Sequence, residues 1–318
     1  MTTRRTMMQA AALGAAAMAV GPARAATRTA PTFEVPAGAC DCHVHVFPDP
    51  ARFPFFAGRS YTPPVATAAD LLQLQRDLKL SRVVIVQPSV YGTDNRATLD
   101  GVRELGLQRA RGVAVIDGST TPAQLEELHQ AGIRGVRVNL ETAGVVDPAA
   151  SAQKLKAAVE QVKARGWHVQ TYTRLSIIEA LKDQLMQMPV PLVVDHFGGA
   201  RGELGVSQPG FASLVELVKA GKAYVKISGA YRSSNAAPDF ADVTPLAQAL
   251  IAANPDRIVW GTDWPHPNTS LKKAATEISE PVPIDDGLLL NNLAKWAPDA
   301  AVRRKILVDN PARLYGFG

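Results

Sequence analysis

The chain has 318 residues, 47% of them hydrophobic, 20% charged and 6% aromatic, with 24 Gly and 23 Pro. That is the balance of an ordinary globular protein and excludes a disordered, collagen-like or coiled-coil chain. Arg4, Arg5 and Arg24 fall in an acid-free stretch of 26 residues, so the formal charge of +5 drops to +2 beyond it; with no basic run interleaved with aromatics, a nucleic-acid partner is not expected.

Residues 1–26 read as an export signal. Arg4-Arg5 precedes a mildly apolar, Ala-rich run from Ala10 to Val20, and Ala23-Arg24-Ala25 supplies an A-x-A cleavage pattern. The arginine pair resembles a twin-arginine signal, which predicts a periplasmic product. The apolar run is too short to span ~30 Å of hydrocarbon, and Gly21-Pro22 breaks it, so no membrane attachment is expected after cleavage. Cys40 and Cys42 are the two cysteines; they stand too close for an easy bridge and read as buried packing thiols.

Residues 27–37 make a tether, and from residue 38 to 318 short β-branched runs alternate with amphipathic stretches. Strands are predicted at Cys40–Phe47, Arg82–Gln87, Gly112–Asp117, Gly135–Leu140, His168–Thr173, Leu192–His196, Tyr224–Ser228 and Ile258–Asp263. Helical patterns lie between them near Ala68–Leu80, Arg96–Leu105, Pro122–Ala131, Ala150–Arg165, Ile177–Met186, Phe211–Ala220 and Val243–Ala253. Thr67 and Thr121-Pro122 are N-cap signals, and Gly132, Gly166 and Gly221 sit where helices end. Near-continuous apolar strands alternating with helices dictate a parallel sheet covered by those helices. Eight such units predict an α/β fold, a distorted (β/α)8 TIM-type barrel in one domain, with extra C-terminal helices near Gly287–Trp296 and Ala301–Val308.

In such a barrel, functional side chains collect where strands end and the βα loops begin. The strand ends carry His43 and His45, then Arg137, Tyr172, His196, Arg232 and Asp263, all converging on one mouth. His43 and His45 alternate, so both imidazoles should face the barrel axis while Cys42 and Val44 face the helices. A lone core histidine is usually a packed one; two on one face at a strand end read as a site. Asp263 closes an apolar strand within Trp260-Gly261-Thr262-Asp263-Trp264-Pro265-His266-Pro267, a costly place for a carboxylate with only a structural role. His266 either reaches the site or supports this loop. Asp195 alternates with His196 and is expected to face outward. Arg137, Arg232 and Tyr172 together supply donors suited to a carboxylate or a lactone oxygen.

His43-x-His45, Asp195-His196, Gly261-Thr262-Asp263-Trp264-Pro265-His266 and the closing Asp309-Asn310-Pro311-Ala312-Arg313-Leu314-Tyr315 resemble the amidohydrolase superfamily. Gln87-Pro88-Ser89-Val90-Tyr91-Gly92-Thr93-Asp94-Asn95-Arg96, Arg111-Gly112-Val113-Ala114-Val115 and Gly135-Val136-Arg137-Val138-Asn139 resemble its branch of 2-pyrone-4,6-dicarboxylate lactonase and sugar-lactone hydrolases. The resemblance implies hydrolysis of a lactone of a carboxylated or hydroxylated small molecule. Asp263 would deprotonate water, His43, His45 and His196 would polarise the carbonyl and carry protons, and Arg137, Tyr172, Arg232 and His266 would anchor the substrate.

Many members of the superfamily bind one or two divalent metals through the paired histidines, a strand-four lysine or glutamate, histidines on strands five and six, and the strand-eight aspartate. Here Arg137 and Tyr172 stand at the strand-four and strand-five positions. A cation disfavours a second cation, and tyrosine is a poor zinc ligand. The resemblance therefore implies the metal-free chemistry of the pyrone lactonase, with no cofactor. The alternative is a metal-dependent amidohydrolase or decarboxylase, with one divalent ion such as zinc on His43, His45, His196 and Asp263. A binding protein on the same barrel is disfavoured, because binding alone needs no buried carboxylate base. The run Leu140-Glu141-Thr142-Ala143-Gly144-Val145-Val146 has an acid and no base, where the pyrone lactonase carries a basic cluster, so a less anionic lactone than a dicarboxylate is expected.

Overall fold

The computed structural model describes residues 29–269 and 274–318. The signal expected over residues 1–26, and the start of the tether, lie outside the described residues. Eight parallel strands pair in sequential order: β1 (Cys40–Val44), β2 (Arg82–Val86), β3 (Ala110–Ala114), β4 (Ile133–Asn139), β5 (His168–Tyr172), β6 (Leu192–Val194), β7 (Ala223–Ser228) and β8 (Ile258–Gly261). The sheet then returns on itself. His45 N donates to the Trp264 carbonyl and Asp263 N to the His43 carbonyl, both at 2.8 Å. At the same seam Thr262 N and Oγ1 donate to the two carboxylate oxygens of Asp41 at 3.0 and 2.6 Å. Gly261 permits this approach, since a Cβ there would lie 2.7 Å from His43 N. The result is the (β/α)8 barrel that the alternation of elements predicts.

The helices on its outer face are α1 (Ala68–Asp77), α2 (Arg96–Leu105), α3 (Pro122–Gln130), α4 (Pro148–Val162), α5 (Leu175–Met186), α6 (Phe211–Lys219), the single turn α7 (Ala230–Ser233) and α8 (Thr244–Ala253). Thr67 and Thr121 each close a capping box, with Asp70 and Gln124, which satisfies two otherwise free N–H groups at each helix start. After β8 come α9 (Asp286–Trp296), α10 (Ala300–Arg304), one π-helical turn (Lys305–Asp309) and α11 (Asn310–Tyr315). The final predicted helix is α10 run on through that turn, and α11 continues it to Tyr315. No helix among the described residues is long and apolar enough to cross a membrane.

The apolar side chains form two layers. Val83, Ile85, Val136 and Val225 point outward into the core shared with Leu71, Leu74 and Leu214. Cys40, Cys42, Val84, Val86, Val193 and Tyr224 fill the bottom of the barrel, where Tyr315 and Phe317 plug it from the C-terminus. Cys42 therefore faces inward, not toward the helices. The cause is an irregularity in β1: between Asp41 and Val44 the register against β2 slips, as an extra residue in a strand does, so Cys42 and His43 both serve the barrel interior.

Candidate active site

The mouth of the barrel is built around Asp263, which is fully buried. Its Oδ2 accepts the Tyr231 hydroxyl at 2.7 Å and the Arg232 guanidinium. Its Oδ1 has no hydrogen-bond partner among the described residues and faces His45 Nε2 at 3.4 Å and His43 Nε2 at 3.6 Å. His196 Nε2 lies 3.9 Å from Oδ2, its ring 4.6 Å from that of His43. The four residues chosen from the strand ends, His43, His45, His196 and Asp263, thus share one buried space. His196, Asp263 and His266 reach their places on left-handed backbone, at φ of 48°, 68° and 62°, a conformation that costs roughly 1–3 kcal/mol away from glycine and gathers at functional sites. Gly229 stays small for the same space, since a Cβ would lie 3.0 Å from His196 Nδ1 and 3.2 Å from Asp263 Oδ2.

Each histidine is oriented from behind. His45 Nδ1 donates to the Val86 carbonyl at 2.8 Å, and His196 Nδ1 lies 3.0 Å from Ser228 Oγ. His43 Nδ1 sits 3.3 Å from Asp195 Oδ1. Asp195 therefore faces the axis, contrary to the outward placement expected of it. β6 ends at Val194, so Asp195 keeps the inward register and His196 leaves the strand to fold over the mouth. Arg137 Nε donates to Asp195 Oδ2 at 3.2 Å. Lys226, fully buried on β7, sits below with Nζ 2.8 Å from the Cys42 carbonyl, 2.8 Å from Gln170 Oε1 and 3.7 Å from Asp195 Oδ1. Sequence reading missed Asp195, Lys226 and Tyr231. A lysine between Val225 and Ile227 in an apolar strand was the signal that could have found the second of these.

Tyr172 closes one side, its ring edge-on to His196 at 5.1 Å with Arg137 5.8 Å above it. Tyr61, also missed, is buried, and burial pushes its hydroxyl up to about 12. Arg232 binds Asp263 and, at 3.1 Å, the Pro267 carbonyl, so it is part of the carboxylate's support as well as of the mouth. His266 turns to the loop: its Nε2 lies 3.0 Å from Asp286 Oδ1 and its ring edge-on to Tyr231.

Burial holds the imidazoles of His43 and His196 below their usual range, His196 at about 4, so both are neutral. Against burial, the Arg232 guanidinium holds the Asp263 carboxyl well below the usual carboxylate range. His43, Lys226 and Arg137 do the same for Asp195. For a metal, His43 Nε2, His45 Nε2 and Asp263 Oδ1 form a compact donor set. Two of these atoms, His43 Nε2 and Asp263 Oδ1, are buried without a hydrogen-bond partner among the described residues, and the histidines have the carbonyl and carboxylate behind them that ligand histidines use. The donors fit one divalent ion. Against it stand Arg137, Lys226 and Arg232, three cations around the same space.

The description of the Amidohydrolase family matches residues 40–317. The chain belongs to the amidohydrolase family. This amidohydrolase is 38% identical over 294 residues to a 2-pyrone-4,6-dicarboxylate hydrolase of Comamonas testosteroni, covering 90% of the chain and 92% of that protein. It is 36% identical over 287 residues to a 4-sulfomuconolactone hydrolase of Hydrogenophaga intermedia, covering 89% and 90%. Among solved structures, an Agrobacterium tumefaciens protein in its apo form superposes with a TM-score of 0.76 at 31% identity, covering 91% of this chain and 99% of that one.

Proposed function

We propose that this amidohydrolase opens a lactone ring by attack of water, with Asp263 as the base. The observation that carries the reading is Asp263 Oδ1, a buried carboxylate oxygen without a hydrogen-bond partner among the described residues, flanked by two imidazole Nε2 atoms and ringed by Arg137, Tyr172 and Arg232. Two relatives above 35% identity that act on cyclic esters support it. Water held at Oδ1 gives a proton to Asp263 as its oxygen attacks the carbonyl carbon. Arg137 stabilises the oxyanion, and Val86 fixes the His45 ring beside it. Collapse breaks the ring C–O bond, and the proton passes through the neutral His196 to the departing oxygen, so that lactone and water become a hydroxy acid. Arg232 at present weakens Asp263 as a base. A substrate carboxylate that takes over part of Arg232 restores its basicity, which ties proton abstraction to binding. The twin-arginine motif supports a periplasmic site of action.

Asp263→Asn keeps the shape of the carboxylate and removes the base, so kcat should fall by at least ~10³ while the melting temperature stays within a few degrees; retained turnover sinks the assignment. A second reading is favoured by the paired orphans His43 Nε2 and Asp263 Oδ1: these residues and His45 would hold one divalent ion, which would polarise the carbonyl and the water. Metal analysis of purified protein with turnover before and after chelation decides. Activity unchanged in metal-free protein supports the first reading, and activity lost with one stoichiometric ion supports the second.

A further inference from the structure

The loop after β4 is tied to the end of β5: Leu140 N and Glu141 N both donate to the Tyr172 carbonyl at 3.0 Å. Two residues past Tyr172, Arg174 turns back and grips Glu141 with both prongs, Nε to Oε2 at 2.9 Å and the terminal nitrogen to Oε1 at 2.7 Å. Both side chains are about a third or more exposed, at 33% and 43%, so the pair sits on the rim, facing solvent. It is tied to the site through Tyr172, whose carbonyl holds this loop and whose ring stands edge-on to His196 at 5.1 Å.

The charges around this space are matched almost one to one. Arg137 pairs with Asp195, Arg232 with Asp263 and Arg174 with Glu141. Among the described residues around this space Lys226 is a fourth cation, and it shares Asp195 with Arg137. Among the described residues these pairs set four cations against three carboxylates, which leaves room for one further negative charge. A second carboxylate on the ring finds no uncommitted arginine in this cluster and meets Glu141 at the rim, where like charges raise the free energy of binding.

We infer that the Glu141–Arg174 pair is a charge gate that selects lactones carrying one anionic group over those carrying two. The inference rests on the lactonase reading and adds a specificity-determining residue to it. Specificity of this kind is built as much from repulsion of the wrong ligand as from attraction of the right one.

The test compares 2-pyrone-6-carboxylate with 2-pyrone-4,6-dicarboxylate, measuring both Kd by calorimetry and kcat/KM by loss of pyrone absorbance. Native protein should bind the monocarboxylate more tightly. Glu141→Gln should shift the ratio of the two constants roughly five- to tenfold toward the dicarboxylate, the size of one like-charge contact across a partly solvated gap. The shift should shrink at about 0.5 M salt, which a purely structural effect would not do. Arg174→Gln leaves Glu141 unpaired and should move the ratio the other way, while Glu141→Asp should keep the native ratio. Hydrolysis of both pyrones with a ratio that neither Glu141→Gln nor Arg174→Gln moves overturns the gate and leaves the lactonase reading standing. Failure of the native protein to bind or hydrolyse either pyrone overturns the lactonase reading and the gate with it.

Discussion

The two oxygens of Asp263 are held in unlike surroundings, and that asymmetry is what turns a buried carboxylate into a directed base. Oδ2 is committed to Tyr231 and Arg232, which leaves Oδ1 to face the space between His43 and His45. Tyr231→Phe removes one of two grips without touching the reacting space. A hydrogen bond to a charged group is worth about 1.5–3 kcal/mol and part of that is recovered by Arg232, so kcat should fall about tenfold with KM within twofold; steady-state kinetics checks this, and an unchanged kcat would mean Arg232 alone sets the carboxylate. The proton carrier has its own signature. His196 is held neutral down to about 4 by burial, so turnover depends on a form present above that pH and lost as pH falls through it. The profile of kcat should stay level from neutral pH to about 5 and drop near 4; a drop near the ordinary histidine range, about 6.5, would show a solvated His196.

The seam between β1 and β8 encloses a buried carboxyl group, that of Asp41. Asp41 accepts from Thr262 N, Thr262 Oγ1 and His43 N, yet burial pushes its carboxyl up from 3.8 to about 7. The folded chain thus holds a proton that the unfolded chain has released by pH 4 to 5. Stability contributed by this group is full below the unfolded value and is lost as pH rises through the folded one, on the order of 4 kcal/mol in all. Asp41→Asn keeps an acceptor for the backbone donors and cannot ionise, so its melting temperature relative to the native protein should rise between pH 5 and pH 8. A constant difference would show that Asp41 is ionised throughout. At this scale the sequence was highly legible: all eight strands and α1 to α6 follow from alternation, caps and helix ends, because those signals are local. What escaped was set by tertiary register. The slip in β1 that turns Cys42 inward, the exit of His196 from β6 and the single turn α7 that delivers Tyr231 depend on neighbouring strands, and no periodicity in the chain records them. The strand-end rule therefore found the residues at the mouth while misplacing Asp195, one position away.

The whole molecule divides its labour between two ends. The C-terminal end of the strands gathers charge that only function explains, and the N-terminal end is closed by apolar packing from the last residues of the chain. Asn310 locks that closure through bonds from its side-chain nitrogen to the Pro255 and Ile258 carbonyls, and Tyr315, fully buried, lies edge-on to His168 and 6.0 Å under Lys226 Nζ. The C-terminus is thus the floor on which the buried Lys226–Asp195–His43 network stands. The ring of Tyr315 supplies that support, since its hydroxyl is buried with no hydrogen-bond partner among the described residues. Removing an unsatisfied polar group stabilises or is neutral, whereas emptying an aromatic site costs about 3–5 kcal/mol. Tyr315→Phe should therefore leave the urea midpoint unchanged or higher with full kcat/KM, and Tyr315→Ala should lower the unfolding free energy by that amount and, by loosening Lys226, depress kcat/KM as well. A destabilised Tyr315→Phe would mean that the hydroxyl has a partner, a bound water beneath Lys226 being the species to look for, and the floor of the site would then be polar.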